Sequence, residues 1–306
     1  MEDLVNIWKK PPATEIFMLA GWHQWADAGS ISSGLPQYLI DHLGAEKIGE
    51  ISSDGFYLFQ LPGTHHLMRP EIQMEEGYRK ALHGPRNEFY YAGDEERGLV
   101  IFLGEEPHLN VFRYAELFFD AVETLGVKRV IGLGGVYGAL PFDKDRDISC
   151  VYSLPQLKQE LSNYVVRFSN YEGGATIGAV LVDRAEPRDI EFVDFYGFVP
   201  AYDFSEVSNQ YQGLRIEDDF KAWYDLMRRF NHMFNLGIDL SDLEGHSEDL
   251  LERIEREIDD LAQKEPQLNV RSYLAELAED FTEMSFMPLD DVWERELGDL
   301  FDDSIE

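Results

Sequence analysis

The 306-residue sequence is short of three things, and each shortage excludes something. It holds a single cysteine, Cys150, so no disulfide can close within the chain, as suits a reducing compartment. It is poor in positive charge. Twenty-six Lys and Arg stand against 59 Asp and Glu, for a formal net charge of −33. Polyphosphate backbones and anionic membrane surfaces are met by basic side chains, which excludes nucleic acid and such membranes as partners. It also lacks any apolar run near the ~20 residues of a membrane span. The opening Met1-Glu2-Asp3-Leu4 has neither the basic nor the apolar region of a secretion signal. The expectation is a cytoplasmic protein whose acidic surface keeps it dissolved.

Catalytic signatures are missing as well. There is no phosphate loop ending in Lys-Ser or Lys-Thr, no Gly-x-Ser-x-Gly elbow, and no Cys pair or His-Glu-x-x-His to hold zinc. No catalytic residue, metal or cofactor is expected. Gly132-Leu133-Gly134-Gly135-Val136-Tyr137-Gly138 invites a dinucleotide reading and fails it. Tyr137 stands where the spacing needs glycine, and no acid ends a clear second strand about 20 residues on. His65-His66 is the one adjacent histidine pair, and neighbours on an extended chain point apart. Cys150 lies in the strand-like run Ile148–Tyr152 and reads as a buried, inert thiol.

What is present is an α/β pattern. The apolar run Leu99–Leu103 leads into Gly104-Glu105-Glu106-Pro107. An amphipathic stretch from Val111 to Leu125 and a second apolar run through Gly135 follow, which together form a βαβ unit. Strands apolar throughout, without alternation, belong to a parallel sheet covered on both faces. Further strands are expected at 15–20, 47–51, 165–168 and 190–199, with helices at 31–43, 154–161 and 176–184. The stretch 54–74 is turn-rich and β-like. After Gly213 the pattern is all helical. Phe220, Trp223, Met227, Phe230 and Phe234 share one face. A second helix carries Leu250, Leu251, Ile254, Ile258 and Leu261 with Ser247 as its N-cap, and a third runs from Val270 to Phe281. Residues 239–306 hold about 23 acids against about 5 bases. The predicted organisation is a core domain over 1–213 and an acidic helical extension over 214–306 packed on it.

Ligands of open α/β sheets sit beyond the carboxyl ends of the strands. Gly21, Trp22, Trp25 and Asp27, then Gly104, Glu105 and Glu106, then Gly134 and Gly135 follow successive strands and form the candidate pocket. Two Trp beside an Asp suit a base and a hydroxyl; they equally suit a core side chain and a helix cap. Glu105 or Glu106 is expected to cap the helix that follows.

These residues also resemble a known family. Gly21-Trp22, Asp27-Ala28-Gly29, Arg69-Pro70, Gly104-Glu105-Glu106-Pro107, Gly126-Val127, Leu133-Gly134-Gly135-Val136, Tyr171-Glu172-Gly173 and Val199-Pro200-x-Tyr202 occur in the order seen in the proteasome assembly chaperone 2 family, and the helical end resembles longer bacterial members. The resemblance implies a three-layer α/β/α fold of the phosphorylase/hydrolase type. It also implies homo-oligomers, a trimer first, and a non-catalytic, assembly-factor-like role toward a protein partner. The fold type keeps a hydrolase or phosphorylase of nucleoside-like molecules as the alternative. Phe142 and Ala201 stand where many members carry a histidine after proline, and the chain ends Ser304-Ile305-Glu306 without the docking tyrosine of archaeal relatives.

Overall fold

A computed structural model describes residues 4–60, 69–204 and 213–286. The strands are β1 (Val5–Ile7), β2 (Glu15–His23), β3 (Glu46–Ile51), β4 (Glu71–Glu75), β5 (Tyr78–His83), β6 (Asn87–Gly93), β7 (Arg97–Glu105), β8 (Arg129–Gly138), β9 (Ile148–Tyr152), β10 (Arg167–Phe168), β11 (Glu191–Tyr202) and β12 (Leu214–Arg215). The helices are α1 (Gly34–His42), α2 (Val111–Leu125), α3 (Leu157–Leu161), α4 (Ile177–Ala185), α5 (Phe220–Phe234), α6 (Ser241–Lys264) and α7 (Val270–Asp280).

One sheet runs in the order β1-β3-β6-β7-β2-β8-β11-β9-β10, with β12 on the end of β11, while β4 and β5 pair only with each other. The four central strands, β7-β2-β8-β11, are mutually parallel. Antiparallel pairs flank them on both sides. The βαβ unit β7-α2-β8 exists, but its strands are not neighbours. β2 lies between them, in register with both.

The period-2 alternation hidden in the apolar strands sorts their side chains between two cores. On β2, Met18, Ala20 and Trp22 join Val130 and Phe192 under α2 and α4. Leu19 joins Ile101, Ile131 and Val193 under α1 and α5–α7. The result is three layers, helices–sheet–helices. The α5 stripe of Trp223, Met227, Phe230 and Phe234 is buried in that second core, together with Leu250, Ile254, Ile258 and Leu261 of α6. α6 starts earlier than its sequence pattern suggests. Ser241 opens it with Asp242 and Glu244 in the first turn, and Ser247 is a buried interior residue, not the N-cap.

A buried ionic network fastens α5 to the carboxyl edge of the sheet. The Arg146 guanidinium, from the loop after β8, bonds both carboxylate oxygens of Asp219 (Nε–Oδ2 2.9 Å, Nη2–Oδ1 3.2 Å). Asp219 also caps α5 by accepting from the Ala222 N–H. Asp225, six residues on, accepts from the Arg146 N–H and from Lys221. Charges taken this far from water persist only when paired and hydrogen-bonded, which is the arrangement here.

Candidate functional site

The carboxyl ends of β2, β7 and β8 converge with the loop before α4. β2 runs through Gly21-Trp22-His23, and residues 24–27 fold over so that the Gly135 N–H donates to the Ala26 carbonyl (2.8 Å) and Asp27 bridges to Gly135. Two glycines permit that fold. A Cβ on Gly21 would sit 1.8 Å from the Ser32 carbonyl oxygen, and one on Gly135 would sit 2.0 Å from that of Ala28. The backbone of residues 28–32 lies directly on the strand ends, where no side chain fits.

Asp27 faces this turn. Its Oδ1 accepts from the Ser32 and Ser33 N–H groups (2.8 and 3.1 Å), and Oδ2 accepts from the Ser33 hydroxyl (2.6 Å). Burial pushes its carboxyl up and the three donors pull it back. The carboxylate thus satisfies backbone donors at the entry to α1.

Glu105 and Glu106 leave β7 in different directions. Glu105 Oε1 meets His23 Nδ1 at 3.1 Å and, by that bond first, raises the imidazole pKa. Glu106 Oε2 accepts from the Trp25 N–H (3.2 Å), and its own N–H donates to the His23 carbonyl. Neither caps α2. That helix opens at Asn110, in the left-handed region with φ 53°, with no side-chain cap. The Glu106 carboxylate is spent on the loop after β2, because the parallel register sets Glu105 beside His23.

The two tryptophans part company. Trp22 has no solvent exposure; its Nε1 donates to the Tyr114 hydroxyl (3.0 Å), which donates to Asn87 Oδ1 (2.8 Å). Tyr57 reaches the same Asn87 oxygen and the Glu105 carbonyl. This buried chain ties β2, α2 and β6 together beneath Glu105. Trp25 is 71% exposed, and Tyr171, three residues before Gly174, is 67% exposed. A Cβ on Gly174 would be 3.9 Å from the Trp25 ring, so that ring lies against the glycine turn before α4. The structure therefore gathers Trp25, Asp27, Glu105, Glu106 and Gly135 at one edge and withdraws Trp22 into the core. Gly104 and Gly134 are packing positions. A Cβ on Gly104 would meet the Phe102 ring at 2.8 Å, and one on Gly134 the Tyr196 ring at 2.6 Å.

Asp194 went unnoticed in the sequence. It is the one acid among Phe192, Val193 and Phe195, and that interruption was the available signal. Opposite Gly132 in register, it fits only because two glycines face it. A Cβ on Gly132 would be 2.4 Å from Oδ1, and one on Gly178 would be 1.9 Å from Oδ2. Oδ1 has no hydrogen-bond partner, and burial pushes the carboxyl up to about 7. Two residues on, the Tyr196 hydroxyl bonds Thr176 Oγ1 (2.6 Å), while Thr176 caps α4 through the Ala179 N–H. The Cys150 thiol is buried, and that burial pushes it up to about 12, far from a reactive thiolate.

Among the described residues, no three His, Cys, Asp or Glu side chains gather as a metal-binding group. No described helix is long and apolar enough to cross a membrane. His65-His66 and the final Ser304-Ile305-Glu306 lie outside the described residues.

A three-layer fold with a parallel centre and a glycine-laid turn over its carboxyl edge defines an α/β protein. The model of the PAC2 family matches residues 22–258, and the chain belongs to that family. Solved structures share the fold. A Mycobacterium tuberculosis proteasome-assembly chaperone homologue is 21% identical, covering 79% of this chain and 94% of its own, with a TM-score of 0.66. A PAC2 family protein from Streptomyces avermitilis is 22% identical, covering 82% and 99%, with a TM-score of 0.67. An archaeal proteasome activator from Pyrococcus furiosus is 19% identical, covering 83% and 98%, with a TM-score of 0.57. No curated protein matches the chain.

Proposed function

We propose that this chain is a non-catalytic, assembly-factor-like protein that binds a protein partner at the carboxyl edge of its sheet. It would act as a cytoplasmic homo-oligomer, with residues 214–306 as an extension packed on a core of 1–213. The observation that carries the reading is how the edge spends its polar groups. Asp27 and Glu106 accept from backbone donors and Glu105 holds His23, while Trp25 and Tyr171 stand in solvent. Carboxylates committed to backbone donors scaffold a surface, and exposed aromatics are the side chains that anchor protein interfaces. Membership of the PAC2 family and the likeness to an archaeal proteasome activator support the same class of role.

The test is affinity isolation from the native lysate with the wild-type chain and with Trp25→Ala/Tyr171→Ala. Both side chains are exposed, so the double variant should keep its circular dichroism and melting temperature. The expected result is a partner recovered by the wild type and reduced tenfold or more with the variant. Equal recovery by both, or turnover of nucleosides by the purified chain, would overturn the reading. Turnover would move it to the hydrolase or phosphorylase alternative.

A further inference from the structure

Most exposed aromatic rings of this chain are covered by one of its own cations. Seven Trp, Phe and Tyr side chains among the described residues are exposed. Four of them carry a basic group over the ring. Lys47 lies 5.6 Å from the Trp8 centroid, Arg69 4.6 Å from that of Phe59, Arg184 4.4 Å from that of Phe112 and Arg215 5.5 Å from that of Tyr137. A cation within about 6 Å of a ring centroid is drawn to the electron-rich face of the ring. Among the described residues, Trp25, Tyr171 and Tyr78 are the exposed rings without such a cover. Tyr78 stands singly on β5, with Arg79 and Lys80 next to it in sequence.

Trp25 and Tyr171 meet at one place. Tyr171 folds over Gly173, where a Cβ would sit 2.1 Å from its hydroxyl oxygen, and the Trp25 ring lies against the next residue, Gly174. Carboxylates stand beside the pair. Glu172 is exposed in the same turn. Glu106 holds the Trp25 N–H through Oε2, and its Oε1 has no partner among the described residues. Residues 22–27, 104–107 and 169–176 build this edge, and they hold four acids, one histidine and no Lys or Arg. Arg86 lies beside Glu105, whose N–H donates to its carbonyl, and it covers neither ring. Outside the described residues the chain has one further base, Arg295.

We propose that the partner of this edge presents a basic segment, and that an arginine side chain of it lies over the Trp25 ring, beside Tyr171, with its charge against Glu106 and Glu172. The inference rests on the protein-binding reading above and names the chemistry of the partner. Three of the four cations that cover the chain's own exposed rings are arginines, and the guanidinium is the cation whose flat, weakly hydrated face suits a ring. Charge selects in the same direction, because an acidic segment would be repelled by the four carboxylates and by a chain of net −33. Trp, Tyr and Arg are also the side chains that carry most of the energy of protein interfaces.

Fluorescence anisotropy of a labelled peptide of alternating glycine and arginine, with three arginines, tests it on the full chain at physiological ionic strength. The comparison peptide carries citrulline, which keeps the shape of arginine without its charge. The expected result is binding of the arginine peptide about tenfold or more tighter than the citrulline peptide, and a loss of about tenfold in Trp25→Ala/Tyr171→Ala with circular dichroism unchanged. Trp25→Phe, which keeps a ring, should retain part of the affinity that Trp25→Ala loses. Arginine binding that is the same in the double variant, or that is competed equally by spermidine of the same charge, would be attraction to acidic surface alone and would overturn the inference. A wild-type chain that ignores the arginine peptide, yet recovers a partner from lysate that the double variant loses, would overturn the basic segment and leave the protein-binding reading standing. Ring-dependent arginine binding with no partner recovered would support the site and overturn that reading instead.

Discussion

Asp194 is the residue whose chemistry is least settled by its neighbours. It is buried with Oδ1 unpaired, and desolvation lifts its carboxyl from near 4 to about 7. A raised carboxyl binds its proton more tightly when folded. Its stabilising contribution is therefore complete below pH 4 and disappears as the pH climbs to 7, by up to about 1.4 kcal/mol for each pH unit. Urea unfolding of the wild type and of Asp194→Asn across pH 4–8 checks this. The wild type should lose stability relative to the variant from pH 4 to about 7 and run parallel to it above, whatever constant offset the amide adds. Equal slopes throughout would mean that the carboxylate is ionised in the fold. Other residues at the edge were more legible. Asp27 was placed after a strand and before a helix, and it serves that helix's entry. Glu106 was misread because its partner, the Trp25 N–H, is 81 residues away in sequence and is brought near only by the parallel pairing of β2 with β7.

At the scale of elements, the buried pieces could be read and the exposed or long-range ones could not. β2 and α2 carry strong apolar patterns, and α2 runs from Val111 to Leu125 as its periodicity predicts. The hairpin β4–β5 has no buried face, so it gives no alternation to read. β6 places aromatic side chains on both faces of its Phe89-Tyr90-Tyr91 run, which blurs the period of 2. Nothing local in β7-α2-β8 signals that β2 lies between the two strands, because that neighbour is contributed by a segment some 80 residues upstream. The α5 attachment is legible only in three dimensions, since Arg146 and Asp219 are 73 residues apart. Arg146→Met should cost about 3–5 kcal/mol, because it leaves Asp219 buried and unpaired. Adding Asp219→Asn should return part of that loss, although the α5 cap is weakened. A double-mutant cycle by urea denaturation measures both effects, and strictly additive losses would show that the pair is not coupled.

The whole molecule combines a strongly acidic chain with one place of a different character, the aromatic carboxyl edge. Composition alone set the expectation against nucleic acid and anionic membranes as partners, and the order of short motifs pointed to the family. Neither said which side chains would be exposed. Trp22 and Trp25 are three residues apart, yet one is core and the other is surface, a division set by the turn laid over Gly21 and Gly135. The proposed role puts a protein partner on this edge. Hydrogen exchange of the chain alone and in the complex recovered from lysate tests that most directly. The expected result is slowed exchange at residues 22–27 and 169–176 in the complex. Unchanged exchange in both segments, with protection elsewhere on the chain, would contradict it.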